Sequence, residues 1–410
     1  MTTTATTKPS IGERELIALL AALSATTALG IDMVLPAFGE IRSALGLAPD
    51  SPRVALTVTL YFLGLAFGQI FYGPFTDRFG RKPVLYFGLG LYMVGAVGSA
   101  LAPSFGYLVA FRFLWGLGAA GPRTLTLAIS RDLYEGDALG RVLATVLAVF
   151  MIVPAIGPLL GEFVLTIGTW RWVFATPVAL ATGLVLWLKR LPETLPPEAR
   201  RPLTFSRTGT ALRAVLANRV TLGSSLALMF DFGSFAAFLA SSELLFDDVY
   251  GRSDQFAYYF GGMSIVMGVF IVFGTRKVAR FGSDRVVVVL VSSSVALSTA
   301  VAVWSLANDG APNFYAWFAL ITVLNSMRTL ANPLIQGQAM APMGELAGTA
   351  AAVIGTISMG GGAVLASFID GAIDGSVTPL AIGYAGFGAL SLAAMLWARG
   401  ARTAPEPTAG

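Results

Sequence analysis

The apolar runs at 53–75 and 83–102 are separated only by Gly73-Pro-Phe-Thr-Asp77-Arg78-Phe-Gly80-Arg81-Lys82-Pro83-Val84. A link this short forces the two flanking segments to lie antiparallel and in contact. Asp77 is expected to cap one end. The basic cluster Arg78, Arg81 and Lys82 is expected to stay in water, on the side of a membrane where Lys and Arg accumulate. A weaker copy recurs as Thr275-Arg-Lys277-Val-Ala-Arg280-Phe-Gly282-Ser-Asp284-Arg285-Val286. Superposing Arg78-Phe79-Gly80 on Arg280-Phe281-Gly282 offsets the copies by 202 residues, from 78 to 280, about half of the 410-residue chain. A repeat on that scale predicts a duplicated membrane bundle.

Composition agrees. Hydrophobic residues make up 55% of the chain and charged ones only 12%, against roughly 25% in soluble domains; the mean hydropathy is +0.74. Apolar runs fall at 15–36, 53–75, 83–102, 105–130, 140–167, 170–189, 218–246, 256–275, 285–306, 313–338, 347–370 and 379–398. Each reads as a helix, because an open strand leaves its backbone groups unsatisfied in lipid. The expected fold is an all-α polytopic membrane protein with twelve transmembrane helices in two six-helix, pseudo-symmetric bundles. The expected domains are 1–189, a cytoplasmic basic linker at 190–217, and 218–410. Residues 1–12 read as a short disordered tail rather than a signal peptide, and Gly209 to Asn218 as either an amphipathic helix on the inner leaflet or an unstructured linker.

Orientation follows from the basic residues. With the N-terminus inside, the cytoplasmic segments hold 20 of the 27 Lys and Arg and the opposite side holds Arg42, Arg53, Arg171 and Arg252. That bias puts both termini in the cytoplasm, in a bacterial-type inner membrane, and accounts for the basic pI without a nucleic-acid partner. The chain has no cysteine and no histidine. Disulfides and thiolate metal sites are excluded, no metal or other cofactor is expected, and any proton chemistry must use carboxylates.

Charges inside the spans carry the functional argument, since each costs at least ~2.5 kcal/mol on insertion scales. Asp32 lies late in the first span and Arg112 about two turns into the fourth, so the two could meet across a cavity. A carboxylate that alternates between a guanidinium and a dry surrounding takes up and releases protons; the alternative is a static ion pair locking two helices. Asp231 sits near the middle of the seventh span, one turn from the position pseudo-equivalent to Asp32. Glu162 and Glu243 are further intramembrane charges, candidates for substrate contact or for snorkelling to the outer interface, while Arg123 and Arg328 could attract an anionic substrate, pair with acids or snorkel inward. Gly116, Gly118 and Gly121-Pro122 punctuate the fourth span; Gly157, Pro158 and Gly161 punctuate the fifth, as a hinge or as ordinary close packing. Tyr61, Phe111, Trp115, Phe235, Phe238, Asn325 and Asn332 are candidate pocket residues for an amphiphilic organic molecule.

Taken together these residues resemble the major facilitator superfamily. Gly73, Asp77, Arg78, Gly80, Arg81 and Lys82 fill the pattern of its signature hairpin. Arg112 with Gly116 resembles its fourth-span motif, and Gly157-Pro158-x-x-Gly161 is similar to its fifth-span antiporter motif. Asp32-Met-Val-Leu-Pro36, Arg131-Asp132, Trp170-Arg-Trp-Val-Phe and Ala347-Gly-Thr-Ala-Ala resemble the bicyclomycin/chloramphenicol-resistance branch of drug:proton antiporters. The resemblance implies two bundles rocking about a midplane cavity. It also implies that Asp32 is the protonated acid, that Arg112 governs its proton, and that Asp77 and Arg81 latch the cytoplasmic side. Two departures stand out. Glu162 replaces a glycine usual in the branch, and Ser24 stands where some multidrug relatives carry a further acid.

The sequence therefore reads as a monomeric, proton-coupled exporter of small organic molecules, with protons, substrate and lipid as its partners. A nutrient symporter or uniporter is the alternative on the same fold. A membrane enzyme or sensor has no catalytic triad, metal cluster or phosphate loop to support it, and no P-loop supports an ATP-driven pump.

Overall fold

The computed structural model describes residues 11–200, 202–203 and 206–402; the tail expected at 1–12 lies, but for its last two residues, outside them. The described residues contain no strand. Twelve long helices follow one another: α1 Glu13–Asp32, α2 Leu56–Phe79, α3 Arg81–Ala100, α4 Phe105–Leu133, α5 Gly136–Ile167, α6 Trp170–Trp187, α7 Arg219–Leu244, α8 Phe256–Phe281, α9 Ser283–Leu306, α10 Phe314–Met340, α11 Ala347–Asp370 and α12 Thr378–Arg402. Helix α11 contains a π-helical turn at Ile357–Gly361. Ten of the twelve are long and apolar enough to cross a membrane. The other two, α4 and α10, have the length, 29 and 27 residues, but their apolar character is diluted by arginines and amides. Large apolar side chains such as Phe67, Phe87, Leu101, Ile167 and Phe368 point outward uncovered, which only a lipid solvent tolerates on this scale.

The chain divides into two compact units. The first holds α1, most of α2 and α3–α6; the second holds α7, most of α8 and α9–α12, with Leu47–Thr59 grouped in the second and Ala257–Ser264 in the first. In the linker, residues 206–217 form the helix Ser206–Ala217. Its Ala211 and Val215 are buried with Val287, Ile335, Ala350 and Val353 of the second unit, while Leu212 and Leu216 stay exposed.

The hairpin between α2 and α3 is not the polar loop expected. Helix runs through Phe79 and restarts at Arg81, leaving Gly80 as the whole turn at φ +95°. Gly282, its counterpart 202 residues on, turns α8 into α9 at φ +83°. Both positions sit in the left-handed region that favours glycine.

Small residues set the helix spacing in the first unit. A Cβ on Gly116 would overlap the Tyr61 carbonyl, one on Gly64 the Phe113 carbonyl, and one on Gly118 the Tyr92 backbone nitrogen. Helices α2, α3 and α4 thus meet backbone to backbone, as membrane helices do where Gly replaces bulk. Ser and Thr hydroxyls inside the helices bond back to carbonyls one turn earlier, Ser130 to Thr126 and Ser225 to Thr221 among them, and so leave no unsatisfied donor toward lipid.

Gly116→Ala forces α2 and α4 apart and should destabilise the detergent-solubilised protein by about 1–3 kcal/mol, the usual cost of overpacking. Gly106→Ala, at a position of the same helix with nothing within 4 Å of the new methyl, should be neutral or stabilising by up to about 1 kcal/mol. Paired thermal melts should lower the midpoint of Gly116→Ala and leave that of Gly106→Ala unchanged or raised.

Candidate functional site

Asp32 is the last residue of α1 and is buried. It lies against the glycine-proline stretch of α5: a methyl at Gly157 would stand 2.7 Å from the Asp32 Cβ, and one at Gly161 would overlap the Met33 carbonyl. Only glycine lets α5 approach the end of α1 this closely. Among the described residues no hydrogen bond or ion pair reaches the Asp32 carboxylate.

Arg112 is fully buried and does not form the ion pair anticipated with Asp32. Its Nη1 donates instead to the carbonyl of Gly30 at 2.7 Å, two residues before the acid. The guanidinium lies over the Tyr61 ring at 4.6 Å, the Trp115 ring at 4.9 Å and the Phe174 ring at 5.9 Å, and cation–π attraction of this kind strengthens when water is excluded. Tyr61 and Tyr92 are anchored in turn, donating from their hydroxyls to the Thr27 and Thr26 carbonyls at 3.0 Å. Tyr61 and Trp115, expected to touch substrate, are thus wholly buried in the cage that holds Arg112. Of the other candidates in this unit, Glu162 is half-buried on α5 and Arg123 is exposed on α4.

The second unit gathers Asp231, Arg328 and Asn325. Arg328 Nη1 is 3.5 Å from Asp231 Oδ1 and Nη2 donates to the Tyr384 carbonyl at 3.1 Å. The Tyr384 hydroxyl donates to Asn325 Oδ1 at 2.9 Å. Asp231 and Arg328 thus form a buried pair, and Arg328 does not snorkel to an interface. Phe235, half-buried on α7, lies one helical turn after Asp231, its ring 6.5 Å from that of Phe232. Glu243 is buried rather than exposed at an interface.

The hairpin builds a dense polar clasp. Arg81 Nη1 donates to Asp77 Oδ1 and to Thr76 Oγ1, both at 2.9 Å, and Nε donates to Asp132 Oδ2 at 2.9 Å. Asp77 thus pairs with Arg81 from within the helix instead of capping it. The cap is Glu193, whose carboxylate accepts from the backbone N–H of Arg81 at 2.8 Å and of Lys82 at 3.1 Å. These are among the donors that a helix start leaves unpaired. Thr194 donates to Asp132 at 3.0 Å and Lys82 Nζ to the Lys189 carbonyl at 3.2 Å. A Cβ on Gly80 would stand 2.6 Å from Glu193 Oε2, so the glycine serves both the turn and the cap. Gly73 stands clear, with nothing within 4 Å of a Cβ placed on it, and Arg78 is exposed. Sequence reasoning missed Glu193, Thr194 and the bridging role of Asp132. The available signal was the acid placed between Pro192 and Pro196, directly after a span.

At the matching place in the second unit, Arg81 becomes Ser283, Asp132 becomes Leu334 and Asp77 becomes Ala279. A cavity of about 470 Å³ lies there, lined by Ser283, Asp284, Pro333, Leu334 and Gln338 among others. Gln338 Nε2 donates there to Asp284 Oδ1 at 2.7 Å.

Glu193→Ala should leave the Arg81 and Lys82 N–H groups open to exchange and cost about 1 kcal/mol, the usual loss for a removed cap. Glu198→Ala, in the exposed part of the same linker, should do neither. Hydrogen exchange read on the peptide spanning the start of α3 checks this; equal protection in both variants would mean that the linker does not cap the hairpin.

Known proteins resemble this chain in sequence and in fold. The Haemophilus influenzae "Bicyclomycin resistance protein homolog" is 32% identical over 362 residues, 86% of this chain and 88% of that one. The Pseudomonas aeruginosa "Chloramphenicol resistance protein" is 37% identical over 160 residues, 39% of this chain and 38% of its own. Among solved structures, a D-xylose-proton symporter superposes with a TM-score of 0.71 at 15% identity, over 93% of this chain and 96% of that one, which establishes likeness of fold. The family model of the Major Facilitator Superfamily matches residues 20–367, and the chain belongs to that superfamily of membrane transporters.

Proposed function

We propose that this transporter exports small organic molecules across the cytoplasmic membrane in exchange for protons, working as a monomer with both termini inside and driven by the proton gradient alone. The observation that carries the reading is the placement of Asp32. A carboxylate is buried at the end of α1, against the Gly157–Gly161 stretch of α5, without a cation bound to it. A permanent structural pair would be closed by short, complete hydrogen bonds, and Asp32 has none. Any movement of α5 relative to α1 changes the surroundings of this acid directly, because no side chain stands between Gly157 and Asp32.

Arg112 acts on Asp32 through the backbone. By holding the Gly30 carbonyl it fixes the last turn of α1, and its charge lies within that turn's field without being spent on the carboxylate. Substrate taken from the inner side leaves as an external proton neutralises Asp32; the emptied carrier returns and gives the proton up inside. Arg123, exposed on α4, and Glu162, half-buried on α5, are the remaining ionisable candidates for contact with substrate. Asp77, Arg81, Asp132 and Glu193 form the latch on the inner side. The names of the relatives, bicyclomycin and chloramphenicol resistance, support drug-like compounds as the substrate class.

Asp32→Asn should abolish proton-driven transport of chloramphenicol in proteoliposomes while substrate binding stays measurable. Gradient-driven flux equal to wild type would remove Asp32 from the mechanism. Uptake with the proton flow, in place of expulsion against it, would identify a symporter instead.

A further inference from the structure

The second unit repeats the device of the first with one addition. Arg112 on α4 bonds the Gly30 carbonyl of α1 and lies on aromatic rings. Arg328 on α10 approaches the Asp231 carbonyl of α7 at 3.5 Å, bonds the Tyr384 carbonyl at 3.1 Å and lies over the Tyr384 ring at 4.5 Å. In both units a buried arginine grips the backbone of the unit's first long helix. The addition is that the gripped residue of α7 is itself an acid.

The pair is loosely closed. Asp231 Oδ1 and Arg328 Nη1 are 3.5 Å apart, whereas a charge-assisted N–H···O bond is about 2.7–2.9 Å long. Asp231 Oδ2 and Arg328 Nε are buried, and neither has a hydrogen-bond partner. A pair kept for rigidity would be short and fully bonded. Here the guanidinium has a second resting place, the Tyr384 carbonyl at 3.1 Å and the Tyr384 ring at 4.5 Å. The carboxylate keeps one oxygen available to a proton. The charged or titratable groups facing Asp231 are Arg328 of α10 and Tyr384 of α12; α11 presents Gly361 and Gly362 to the neighbouring Met229, Phe232 and Gly233.

We propose that Asp231 is a second proton-carrying acid of the transport cycle, with Arg328 as the partner that its proton releases. This rests on the antiport reading above. An O–H bond forms between Oδ2 and a proton delivered by hydronium, which leaves as water. The attraction between Oδ1 and Arg328 is lost, and the guanidinium remains on the Tyr384 carbonyl. On the inner side the O–H bond breaks to a water molecule, and the carboxylate draws Arg328 back. Tyr384 and Asn325 are positioning residues for the guanidinium.

The test is pH-difference infrared spectroscopy of the full chain in lipid nanodiscs, read in the C=O stretch of protonated carboxyl groups. Asp32→Asn should remove one band and Asp231→Asn a different one, while Asp231→Glu keeps a band at shifted frequency and so controls for misfolding. With chloramphenicol as the probe, the wild-type exchange rate should rise with the second power of external proton activity and that of Asp231→Asn with the first. A spectrum unchanged by Asp231→Asn, or an unchanged order in protons, overturns the proposal. If Asp32→Asn alone removes a band, antiport stands and the second acid falls; if neither variant changes the spectrum, both readings fall.

Discussion

A guanidinium buried in an apolar bundle must be supplied with acceptors by the chain around it, since lipid supplies none. Much of the architecture follows from that requirement. Arg112 obtains the Gly30 carbonyl and a cage of aromatic faces; Arg328 obtains two carbonyls, a tyrosine face and half of a carboxylate. Taking a backbone carbonyl has a consequence that a side-chain partner would not. The arginine becomes a fastening between helices that does not depend on the charge of an acid. Arg112 thus holds α4 to α1 two residues before Asp32.

The glycines make the fastening possible. Gly30 must lack a side chain because a Cβ would stand 2.8 Å from the Tyr61 hydroxyl, the group that completes the cage. Gly116 lets α4 close on α2 so that Tyr61 reaches across to α1, and Gly157 with Gly161 lets α5 close on the far side. Closeness gained this way is dispersion at short range with no interdigitating knobs. Helices joined by smooth glycine surfaces can also part without repacking large side chains, as a helix pair that must move requires.

The fold was legible because lipid imposes a coarse code. Spans of ~20 apolar residues and a bias of Lys and Arg to one side survive almost any detail of packing. Asp32, Arg112, Asp231 and Arg328 were legible for the same reason, as charges where charges are expensive. Their partners were not. Nothing in the spacing tells that Arg112 turns to Gly30 rather than to Asp32, since the choice depends on helix rotation and on the aromatic cage. Tyr61 and Trp115 illustrate the same limit: aromatic residues read alike whether they line a pocket or wrap a cation. Glu193 was hidden differently, because a cap contributed from a hundred residues away leaves no local pattern at the helix it serves.

The two hairpins show how the halves of a duplicated scaffold come to differ. Each keeps its turn glycine in the left-handed region, Gly80 and Gly282, because the backbone demands it in both. The side chains beyond the turn are free of that demand and have diverged. The first copy ties Arg81 to two acids and recruits the linker through Glu193 and Thr194. The second replaces Arg81 with Ser283 and Asp132 with Leu334, and a cavity occupies the place. Equal clasps would make the two hairpins energetically alike; the single clasp, tethered to the segment that joins the repeats, stiffens the first hairpin where the second keeps a cavity.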